Sequence, residues 1–401
     1  MRVLVTGLGV WCSLGETVGE FDESLRAGRS GVGPVTRLDV SSPVYRTRLA
    51  AELRRQEKLV PCTDATLITD LALKVALDAL ADAGLQAGIP ARSFGVALGT
   101  SHGANLPFLT FVRGRLGLPG GRVDHELLLG TTATIVGQVA RKVGAAGPTL
   151  TVSTACASSC NSIGRAAELV RGGRADVMLA GGADLYTELS FSGFNVLGLL
   201  ARHQYRPFDA RRDGMLLGDG AAMMVLESEE SAHRRGARAY CEIAGHAIGN
   251  DAFHATAPEP TGREAARVMR DALRDAGIKP EAVDYVNLHG TGTAANDETE
   301  ILAIKQVFGA RSKQVLLSAT KSMLGHTLGA AGAVELAATA LGLLHGYAPP
   351  MINLETPVPQ AADWSFVRDF CCYAKLGCAI KNSFGFSGNL CSLVLRAIRR
   401  L

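Results

Sequence analysis

The sequence predicts an α/β fold built from two duplicated halves, and three observations support this prediction. Short runs of β-branched residues alternate with Ala-rich stretches of helical length, the pattern of buried strands connected by helices. Hydrophobic residues make up 47% of the 401 residues and charged residues 20%, which provides for a large core and excludes a disordered chain. A short segment of the first half also recurs, with its neighbouring elements, in the second half.

The predicted elements follow one another in the order of such a fold. Short apolar segments bounded by turn residues are predicted as strands at Arg2–Thr6, Phe94–Leu98, Leu150–Ser153, Val177–Ala180, Ala222–Glu227, Tyr285–Leu288, Val315–Ser318 and Leu393–Leu395. Longer Ala- and Leu-rich segments are predicted as helices, including Leu67–Ala83, Ser158–Arg171, Glu264–Ala276, Asp297–Phe308 and Ala330–Leu344. We therefore expect helices to alternate with strands throughout the chain.

The internal repeat is carried by DALADAGL at Asp78–Leu85 and DALRDAGI at Asp271–Ile278. Each copy is followed by a strand, and then by a second strand that ends in a polar turn and enters a helix of small residues. Three matched elements in one order predict two halves, 1–240 and 241–401. Equivalent loops of such halves meet, so the two polar turns are expected to form one site.

Composition excludes several classes of function. Lys and Arg number 41 against 38 Asp and Glu, and no basic run with interleaved aromatic residues indicates nucleic-acid binding. The N-terminus has no cleavage-site pattern, and no segment approaches ~18 uninterrupted apolar residues. Nine cysteines in a long Gly-rich chain do not resemble a disulfide framework, and they lack histidines at metal-ligand spacing. We expect a cytoplasmic protein with reduced thiols, no metal and no membrane contact.

The first polar turn contains a candidate nucleophile. In TVSTACASSC the chain passes from strand to helix, with Cys156 at the junction and small residues around it. Unpaired N–H groups and the helix dipole stabilise a thiolate there, which predicts a pKa lowered by about one unit. We also expect alkylating reagents to reach Cys156 first, because the junction is expected to be exposed. Local context alone leaves open that Cys156 is a small core residue, and Cys160, one turn further, is interpreted as structural.

Two histidines occupy similar Gly-rich turns in the second half. His289 ends a strand in NLHGTGTAAND, where Thr291 and Thr293 present hydroxyls suited to an extended polar ligand. His326 lies in KSMLGHTLGAAGAVE, at the position that corresponds to the first polar turn. A third segment, KNSFGFSGNL from Lys381, is interpreted as a Gly-interrupted aromatic turn before the final strand. These patterns predict functional histidines.

Taken together, the motifs resemble those of the elongating β-ketoacyl-acyl-carrier-protein synthases. The resemblance runs through VTGLGV at Val5–Val10, GGAD at Gly181, RPFDARRDGMLLGDGA at Arg206–Ala221, HGTGT, KSMLGHTLGAAGAVE and NSFGF, which is nearly the whole chain. It implies a thiolase-like five-layered αβαβα fold from two duplicated halves, a homodimer or a heterodimer with a ketosynthase-like subunit, and an acyl carrier protein as partner. It implies no cofactor, since the carrier protein brings the phosphopantetheine.

The resemblance also implies a decarboxylative Claisen condensation in two stages. Cys156 would accept an acyl group, and malonyl thioester would lose CO2 with its enolate held by His289 and His326 as neutral Nε2–H donors. The remaining roles that it implies follow in one series: backbone N–H groups of Cys156 and Phe386 as an oxyanion hole, the Phe386 ring as a gate, Lys321 with Glu335 orienting His326, Thr291 and Thr293 on the pantetheine arm, Phe384 on the substrate, and Asp297 and Glu300 as structural support.

Departures from the family pattern concern the pathway. The usual GFGGTN turn reads Gly385-Phe-Ser387-Gly-Asn389-Leu390 here, a change that could stiffen the gate. HGTGT followed by Asn-Asp is closer to the polyketide branch, and His102 stands where fatty-acid enzymes place an apolar residue beside the acyl tunnel. Type II fatty-acid synthesis and a specialised polyketide pathway, such as aryl polyene synthesis, are therefore both expected alternatives.

Four other classes of protein share part of this pattern. A thiolase would need a second catalytic cysteine in the C-terminal turn, and a priming synthase would need Asn at the place of His326. A Rossmann dehydrogenase fails because Gly7-Leu-Gly9 is followed by Val-Trp-Cys. A non-catalytic chain-length-factor subunit would lack the nucleophile, so Cys156 argues against it, although the altered C-terminal turn keeps this alternative open.

Overall fold

The computed structural model describes residues 1–53, 67–85, 89–103, 105–124 and 131–398. Its strands, in chain order, are β1 Val3–Cys12, β2 Gly33–Pro34, β3 Leu49–Ala50, β4 Phe94–Gly99, β5 Thr149–Val152, β6 Val177–Asp184, β7 Gly220–Ser228, β8 Cys241–Asn250, β9 Tyr285–Asn287, β10 Leu316–Ser318, β11 Tyr347–Ala348, β12 Cys372–Tyr373, β13 Cys378–Gly385 and β14 Asn389–Arg396.

Helices connect most of these strands. They are α1 Val18–Arg26, α2 Leu67–Asp82, α3 Asn105–Arg115, α4 Thr132–Val143, α5 Ser158–Arg171, α6 Glu188–Val196, α7 Glu229–Arg234, α8 Arg263–Asp275, α9 Ala294–Phe308, α10 Lys321–Leu324 and α11 Ala331–His345. All eight predicted strands and all five named helices are present, with ends that differ mostly by one or two residues; β1, β6 and β14 are longer than predicted.

The sheet shows the predicted duplication directly. The described strands form a ten-stranded sheet in the order β10-β9-β13-β14-β8-β1-β7-β6-β4-β5. In the first half β4 is parallel to β5 and β6, and β7 is antiparallel to β6 and β1. The second half repeats this arrangement with β9, β10, β13, β14 and β8. Only two residue pairs, at Leu4 and Val5, join β1 to β8 within the described chain.

The helices complete five layers. Helices α5 and α11 pack against each other and against strands of both half-sheets, so they form the central layer. Helices α2 and α4 cover the outer face of the first half-sheet, and α8, with α9 against it, covers the second. Helix α11 is buried on nearly every side, in agreement with its almost uniformly apolar sequence. This is the predicted αβαβα architecture, and it brings the N-termini of α5 and α11 together at the centre.

Glycines in β1 explain why the outer helix lies so close to the sheet. A Cβ atom at Gly7 would come within 2.2 Å of the Ala79 carbonyl oxygen, and one at Gly9 within 2.0 Å of the Val75 carbonyl oxygen. The repeated DALxDAG segments end the equivalent helices α2 and α8, where Gly84 has φ +67° and Gly277 has φ +64°. The repeat therefore marks a real structural equivalence.

Two strands of the ten-stranded sheet, β8 and β13, and the four short strands of the two-stranded sheets were not predicted from the sequence, and one interpretation was wrong. Strand β8 contains two glycines and a histidine, and β13 contains Lys381, Asn382 and Ser383, which do not read as a buried strand. The interpretation of the whole Lys381–Leu390 segment as a turn fails because residues up to Gly385 belong to β13. Only residues 386–388 form the turn to β14. Buried polar residues within the interior of the protein made this strand look like a loop.

One helical stretch, Leu328–His345, is long and apolar enough to cross a membrane by composition. Inside the protein 89% of it is buried, so it is the central core helix α11 with the turn before it. Among the residues described, it is the single such stretch. Its apolar surface is buried by packing between the two half-sheets.

Candidate active site

The nucleophile turn lies between β5 and α5, as predicted. Cys156 precedes the first residue of α5 by two positions, and Ala155 before it adopts φ +49°. A non-glycine residue in this left-handed conformation costs about 1–2 kcal/mol, so surrounding contacts must hold the turn. The Ser158 hydroxyl does so by donating to the Ala155 carbonyl oxygen at 2.6 Å and accepting from the Thr154 N–H at 2.9 Å. The sulfur is thereby held at the helix entrance.

The Cys156 thiol differs from the expectation in two respects. Its residue is only 9% exposed, so the junction is not an open one. Burial raises the pKa of the Cys156 thiol to about 11, and the positive charge of Lys321 and the backbone N–H groups of Cys156 and Phe386 offset only part of that effect. The predicted lowering of the pKa is therefore wrong, because the effect of desolvation is larger than that of the helix terminus. The two N–H groups do face the sulfur.

The two histidines meet beside this sulfur. His289 and His326 are 2% and 1% exposed, and their ring centroids are 5.6 Å apart in an edge-to-face arrangement. A cavity of about 360 Å³ is lined by Cys156, by both histidines and by Phe386. Residues that are 133 and 170 positions after Cys156 in the chain thus share one small space with it. The pseudo-symmetric packing of the halves produces this convergence, as the repeat predicted.

Hydrogen bonds define the tautomer of each ring. The N–H of Leu328 donates to His326 Nδ1 at 3.1 Å, and Lys321 Nζ lies 3.3 Å from His289 Nδ1. Burial lowers the pKa of both histidines well below 6.5, and the charges of Lys321 and Lys381 lower them further. A neutral ring that accepts at Nδ1 carries its proton on Nε2. Both rings therefore have an Nε2–H donor.

The Lys321 ammonium is completely enclosed and positions His289. It donates to the His289 carbonyl oxygen at 2.6 Å and to Glu335 Oε1 at 2.7 Å. The pairing with Glu335 was predicted, whereas the expectation that Lys321 orients His326 is wrong. His326 is instead oriented by the backbone at Leu328, which has φ +53° just before α11.

Two buried carboxylates support the turn that follows β9. Glu300 accepts the N–H of His289 at 2.8 Å and that of Gly290 at 2.9 Å. Asp297 accepts the N–H of Phe208 at 2.8 Å and that of Gly292 at 3.1 Å, and burial raises its pKa to about 6. Both carboxylates therefore hold the backbone of the residues around the site by hydrogen bonds.

Three of the four predicted substrate contacts, Thr291, Thr293 and Phe384, line the same cavity, as does Phe386. Thr291 and Thr293 share a hydrogen bond of 2.8 Å between their hydroxyls at its wall. The Phe384 ring packs 5.8 Å from the ring of His289, and the Phe386 ring 5.7 Å from that of Phe194. These four side chains surround the path toward the sulfur.

The turn that follows Phe386 is tightly held. Ser387 has φ +60°, a conformation suited to glycine, and its N–H donates to the Ala255 carbonyl oxygen at 2.8 Å. The side-chain amide of Asn250 donates to the Ser387 carbonyl oxygen at 2.7 Å, and that of Asn389 to the Phe386 carbonyl oxygen at 2.8 Å. Ser387 lies in this hydrogen-bonded turn, whereas Asn389, whose side chain holds the turn, and Leu390 belong to β14.

Comparison with known proteins places this site in a family. Residues 1–232 match the beta-ketoacyl synthase N-terminal domain, and residues 240–355 match the C-terminal domain. The chain is 38% identical to 3-oxoacyl-[acyl-carrier-protein] synthase 2 of Coxiella burnetii over 99% of both chains. It is 36% identical to the tetracenomycin polyketide synthase ketoacyl synthase alpha subunit of Streptomyces glaucescens, covering 98% of this chain and 96% of that one. The chain belongs to the β-ketoacyl synthase family.

Solved structures agree with the fold of a β-ketoacyl synthase. A ketosynthase described in complex with its type II polyketide acyl carrier protein and bound to the hexaketide matches with a TM-score of 0.91 at 33% identity, over 99% of both chains. The ishigamide ketosynthase/chain length factor also matches with a TM-score of 0.91, at 35% identity and over 99% of both chains. The thiolase-like fold class is confirmed.

This synthase has a second cavity, of about 340 Å³, that His102 lines together with Ile68, Leu109 and Tyr186. The His102 N–H donates to Asp184 at 3.0 Å, whereas its buried Nδ1 has no hydrogen-bond partner among the residues described. His102 thus lies outside the lining of the Cys156 cavity, although it is close enough to His326 to affect the pKa of that ring.

Sequence reasoning did not single out Asp184 or Lys381 in the synthase. Asp184 ends β6 and is completely buried, where it accepts N–H groups of Ser101 and Gly329 at 2.7 Å each. Lys381 is also completely buried and lies 2.8 Å from Glu335 Oε2. The GGAD motif and the Lys in KNSFGF were the available signals, but neither indicates a partner by itself.

The other thiols of the synthase differ in exposure from what was expected. Cys371 and Cys372 are half-buried and so more accessible than Cys156, which contradicts the expectation that Cys156 is the thiol reached first. Cys62 lies outside the described residues. In the described ranges, no group of three or more His, Cys, Asp or Glu side chains is placed to hold a metal ion.

Proposed function

We propose that this chain is a β-ketoacyl-[acyl-carrier-protein] synthase, an acyltransferase that condenses malonyl-carrier thioester with an acyl group held on Cys156. The observation that supports this function best is the composition of one cavity. It contains a thiol, two neutral imidazoles with Nε2–H donors, and two backbone N–H groups facing the sulfur. The backbone N–H groups can stabilise negative charge that develops at the sulfur, and the two imidazoles can stabilise negative charge that develops beside it.

In the first stage the Cys156 sulfur attacks the acyl carbonyl carbon. The negative oxygen of the tetrahedral intermediate accepts the N–H groups of Cys156 and Phe386, which face the sulfur in the empty site. The carrier thiol leaves with the proton that Cys156 loses, so a new thioester replaces the old one. Since burial holds the pKa of the free thiol near 11, oxyanion stabilisation during attack matters more here than a preformed thiolate.

In the second stage malonyl thioester loses CO2, and the electron pair of the broken bond forms an enolate. Its oxygen accepts the Nε2–H groups of His289 and His326, which need not gain a proton to act. The enolate carbon then attacks the acyl carbon, and the Cys156 sulfur leaves and recovers a proton. Thr291 and Thr293 would hold the pantetheine arm, with Phe384 beside it and Phe386 at the entrance.

The partners follow from this chemistry and from the relatives. An acyl carrier protein would deliver both thioesters, and the carrier's phosphopantetheine makes a resident cofactor unnecessary. Edge strand β5 has one strand neighbour, β4, within the described chain, which suits pairing with a second copy or with a ketosynthase-like subunit. A carrier-borne substrate and reduced thiols favour the cytoplasm. Relatives of both fatty-acid and polyketide synthesis match at similar identity, so either pathway would use this site.

The alternative is a non-catalytic subunit that sets chain length beside an active partner. The presence of Cys156 with both neutral histidines in one cavity disfavours it, because a purely structural subunit has no use for a polarised pair of Nε2–H donors. The two functions differ in whether Cys156 becomes acylated.

Mass spectrometry after incubation with a panel of acyl-carrier thioesters tests this function. We expect the acyl mass on Cys156, no acylation of Cys156→Ala, and residual malonyl decarboxylation by that variant. His289→Ala and His326→Ala should both still be acylated, but their decarboxylation rates should be about 10²–10³-fold lower. A wild-type chain that never carries the acyl mass would support the non-catalytic subunit instead.

A further inference from the structure

The interior of the second half contains two ammonium groups on one carboxylate. Glu335 Oε1 lies 2.7 Å from Lys321 Nζ, and Glu335 Oε2 lies 2.8 Å from Lys381 Nζ. All three side chains are completely buried. Buried lysines are rare unless paired, and a single carboxylate neutralises only one of them. The second ammonium therefore needs an explanation that a simple ion pair does not give.

The charge of Lys381 also acts on a second buried carboxylate, Glu300. The Asn382 amide next to Lys381 donates to Glu300 Oε1 at 3.2 Å, and the charge of Lys381 helps to lower the pKa of Glu300 against the raising effect of burial. Glu300 holds the backbone of His289, and Glu335 holds Lys321, which contacts the same histidine. Lys381 thus acts on both carboxylates that support His289, Glu300 directly at its backbone and Glu335 through Lys321.

We propose that Lys381 is a positioning residue of the condensation reaction, a fixed cation that holds the Glu335–Lys321 pair in place and keeps both histidines neutral. The inference rests on the proposed function. Lys381 itself lines no part of the Cys156 cavity and acts through Glu335, Lys321 and His289.

The groups that face the histidines from the surrounding elements decide the direction of the effect. Positive charges on Lys321 and Lys381 disfavour a protonated ring, and so does the neighbouring imidazole. The titratable and charged groups around the pair are Cys156 before α5, Asp184 at the end of β6, His102 after β4, Glu300 on α9, Lys321 on α10, Glu335 on α11 and Lys381 on β13. Lys381 itself is also faced by the Cys160 thiol on α5 and the Cys391 thiol on β14. Removal of Lys381 leaves the carboxylates in excess, which favours protonation of a histidine.

Lys381→Met keeps most of the aliphatic stem and removes the charge. We expect a kcat for malonyl decarboxylation about 10–100-fold lower with little change in KM, less than the ~10²–10³ for a direct donor. The acid limb of the pH profile should move to higher pH, while acylation of Cys156 continues. Thr339→Val is the matched control, because Thr339 is buried on α11 and its hydroxyl donates to the Glu335 carbonyl oxygen at 2.8 Å without contributing charge.

A second variant tests the charge separately from packing. Lys381→Ala opens space beside Glu335. Asn287, which is paired with residue 381 in the sheet, and Ser383, on the same side of β13, are the polar neighbours of that space. Methylammonium should enter and recover activity at least about tenfold, whereas the larger tetramethylammonium at equal ionic strength should not. Recovery by both cations, or by neither in a folded variant, would overturn the proposal.

Histidine NMR keeps this proposal distinct from the proposed function. With ring-labelled histidines, Lys381→Met should raise the pH at which two buried rings titrate, whatever substrate the wild type accepts. If the wild type never condenses acyl and malonyl thioesters, the proposed function fails while this titration shift still supports the role of Lys381. If the wild type condenses them and Lys381→Met matches Thr339→Val in kcat, pH profile and ring titration, the role of Lys381 is refuted.

Discussion

Asp184 is the residue whose replacement should most directly uncouple the two halves of the site. Its carboxylate accepts four hydrogen bonds: from the Thr100 hydroxyl at 2.8 Å, from the N–H groups of Ser101 and Gly329 at 2.7 Å, and from that of His102 at 3.0 Å. It therefore ties the loop after β4 in the first half to the turn before α11 in the second. Gly329 follows His326 by three residues.

Asp184→Asn keeps the shape and halves the acceptors. The amide is best turned with its NH2 toward the Thr100 hydroxyl, which can then accept, so the His102 N–H loses a bond worth ~1.5–3 kcal/mol and the other three bonds lose their charge assistance, ~0.5–1 kcal/mol each. We expect a loss of about 3–6 kcal/mol in unfolding free energy. With an unfolding entropy of ~2.1 cal/mol/K per residue over 401 residues, this corresponds to a fall in Tm of about 4–7 °C.

Thermal unfolding measures the loss of stability. Quenched-flow measurement of Cys156 acylation by acyl-carrier thioester measures the effect of the substitution on the site. Because the Ser101 hydroxyl donates to the Ala155 carbonyl oxygen at 3.3 Å, acylation should slow together with decarboxylation. Asp284→Asn is the control, since Asp284 accepts two backbone N–H groups at the other end of β9 from His289. A Tm within 1 °C of wild type, or equal catalytic loss in both variants, would refute this reasoning.

Three further predictions concern single groups. At pH 8 a thiol with a pKa of about 11 is only ~0.1% thiolate, so labelling of Cys156 by iodoacetamide should be slow and should still be rising at pH 10. Cys371 and Cys372 are more exposed and should be labelled before it; peptide mapping with the reverse order would contradict this. His102 lines the second cavity and not that of Cys156, so His102→Ala should lengthen and His102→Phe shorten the preferred saturated primer only where the acyl chain extends from Cys156 into that second cavity, by ~0.8 kcal/mol per buried methylene; an unchanged profile of acyl masses would make His102 structural. Ser387→Gly should remove ~1 kcal/mol of left-handed strain from the closed turn and so slow its hydrogen exchange, and faster exchange in the variant would show that Ser387 stiffens the turn rather than straining it.

The sequence was informative where local pattern and global fold agree. Buried strands such as Phe94–Gly99 and helices such as α5 carry their own periodicity, and the DALxDAG repeat revealed that the fold is double. Once the halves were equivalent, the convergence of Cys156, His289 and His326 followed from chain topology. The resemblance added the reaction but not the geometry.

Strand β13 shows where sequence reasoning stopped. Its side chains Lys381, Asn382 and Ser383 would be typical of a surface loop, yet all three are completely buried. Their acceptors lie on other elements, Glu335 on α11 and Glu300 on α9. A hydropathy scale counts the cost of removing each polar side chain from water. It does not count the hydrogen bonds and ion pairs that replace water here, because those partners are brought together only by the tertiary structure.

The Cys156 thiol illustrates the same limit for reactivity. A helix terminus is a local feature and contributes up to ~2 kcal/mol, so it can be inferred from a strand-to-helix junction. Desolvation depends on what covers the junction, and here the cover comes from the second half-sheet and the turn at Phe386. The same enclosure that raises the pKa of the thiol lowers those of the two histidines, because burial disfavours every charged form. One dry cavity therefore keeps the thiol protonated and both rings neutral at once, so that negative charge meets fixed N–H donors only when it develops on the substrate.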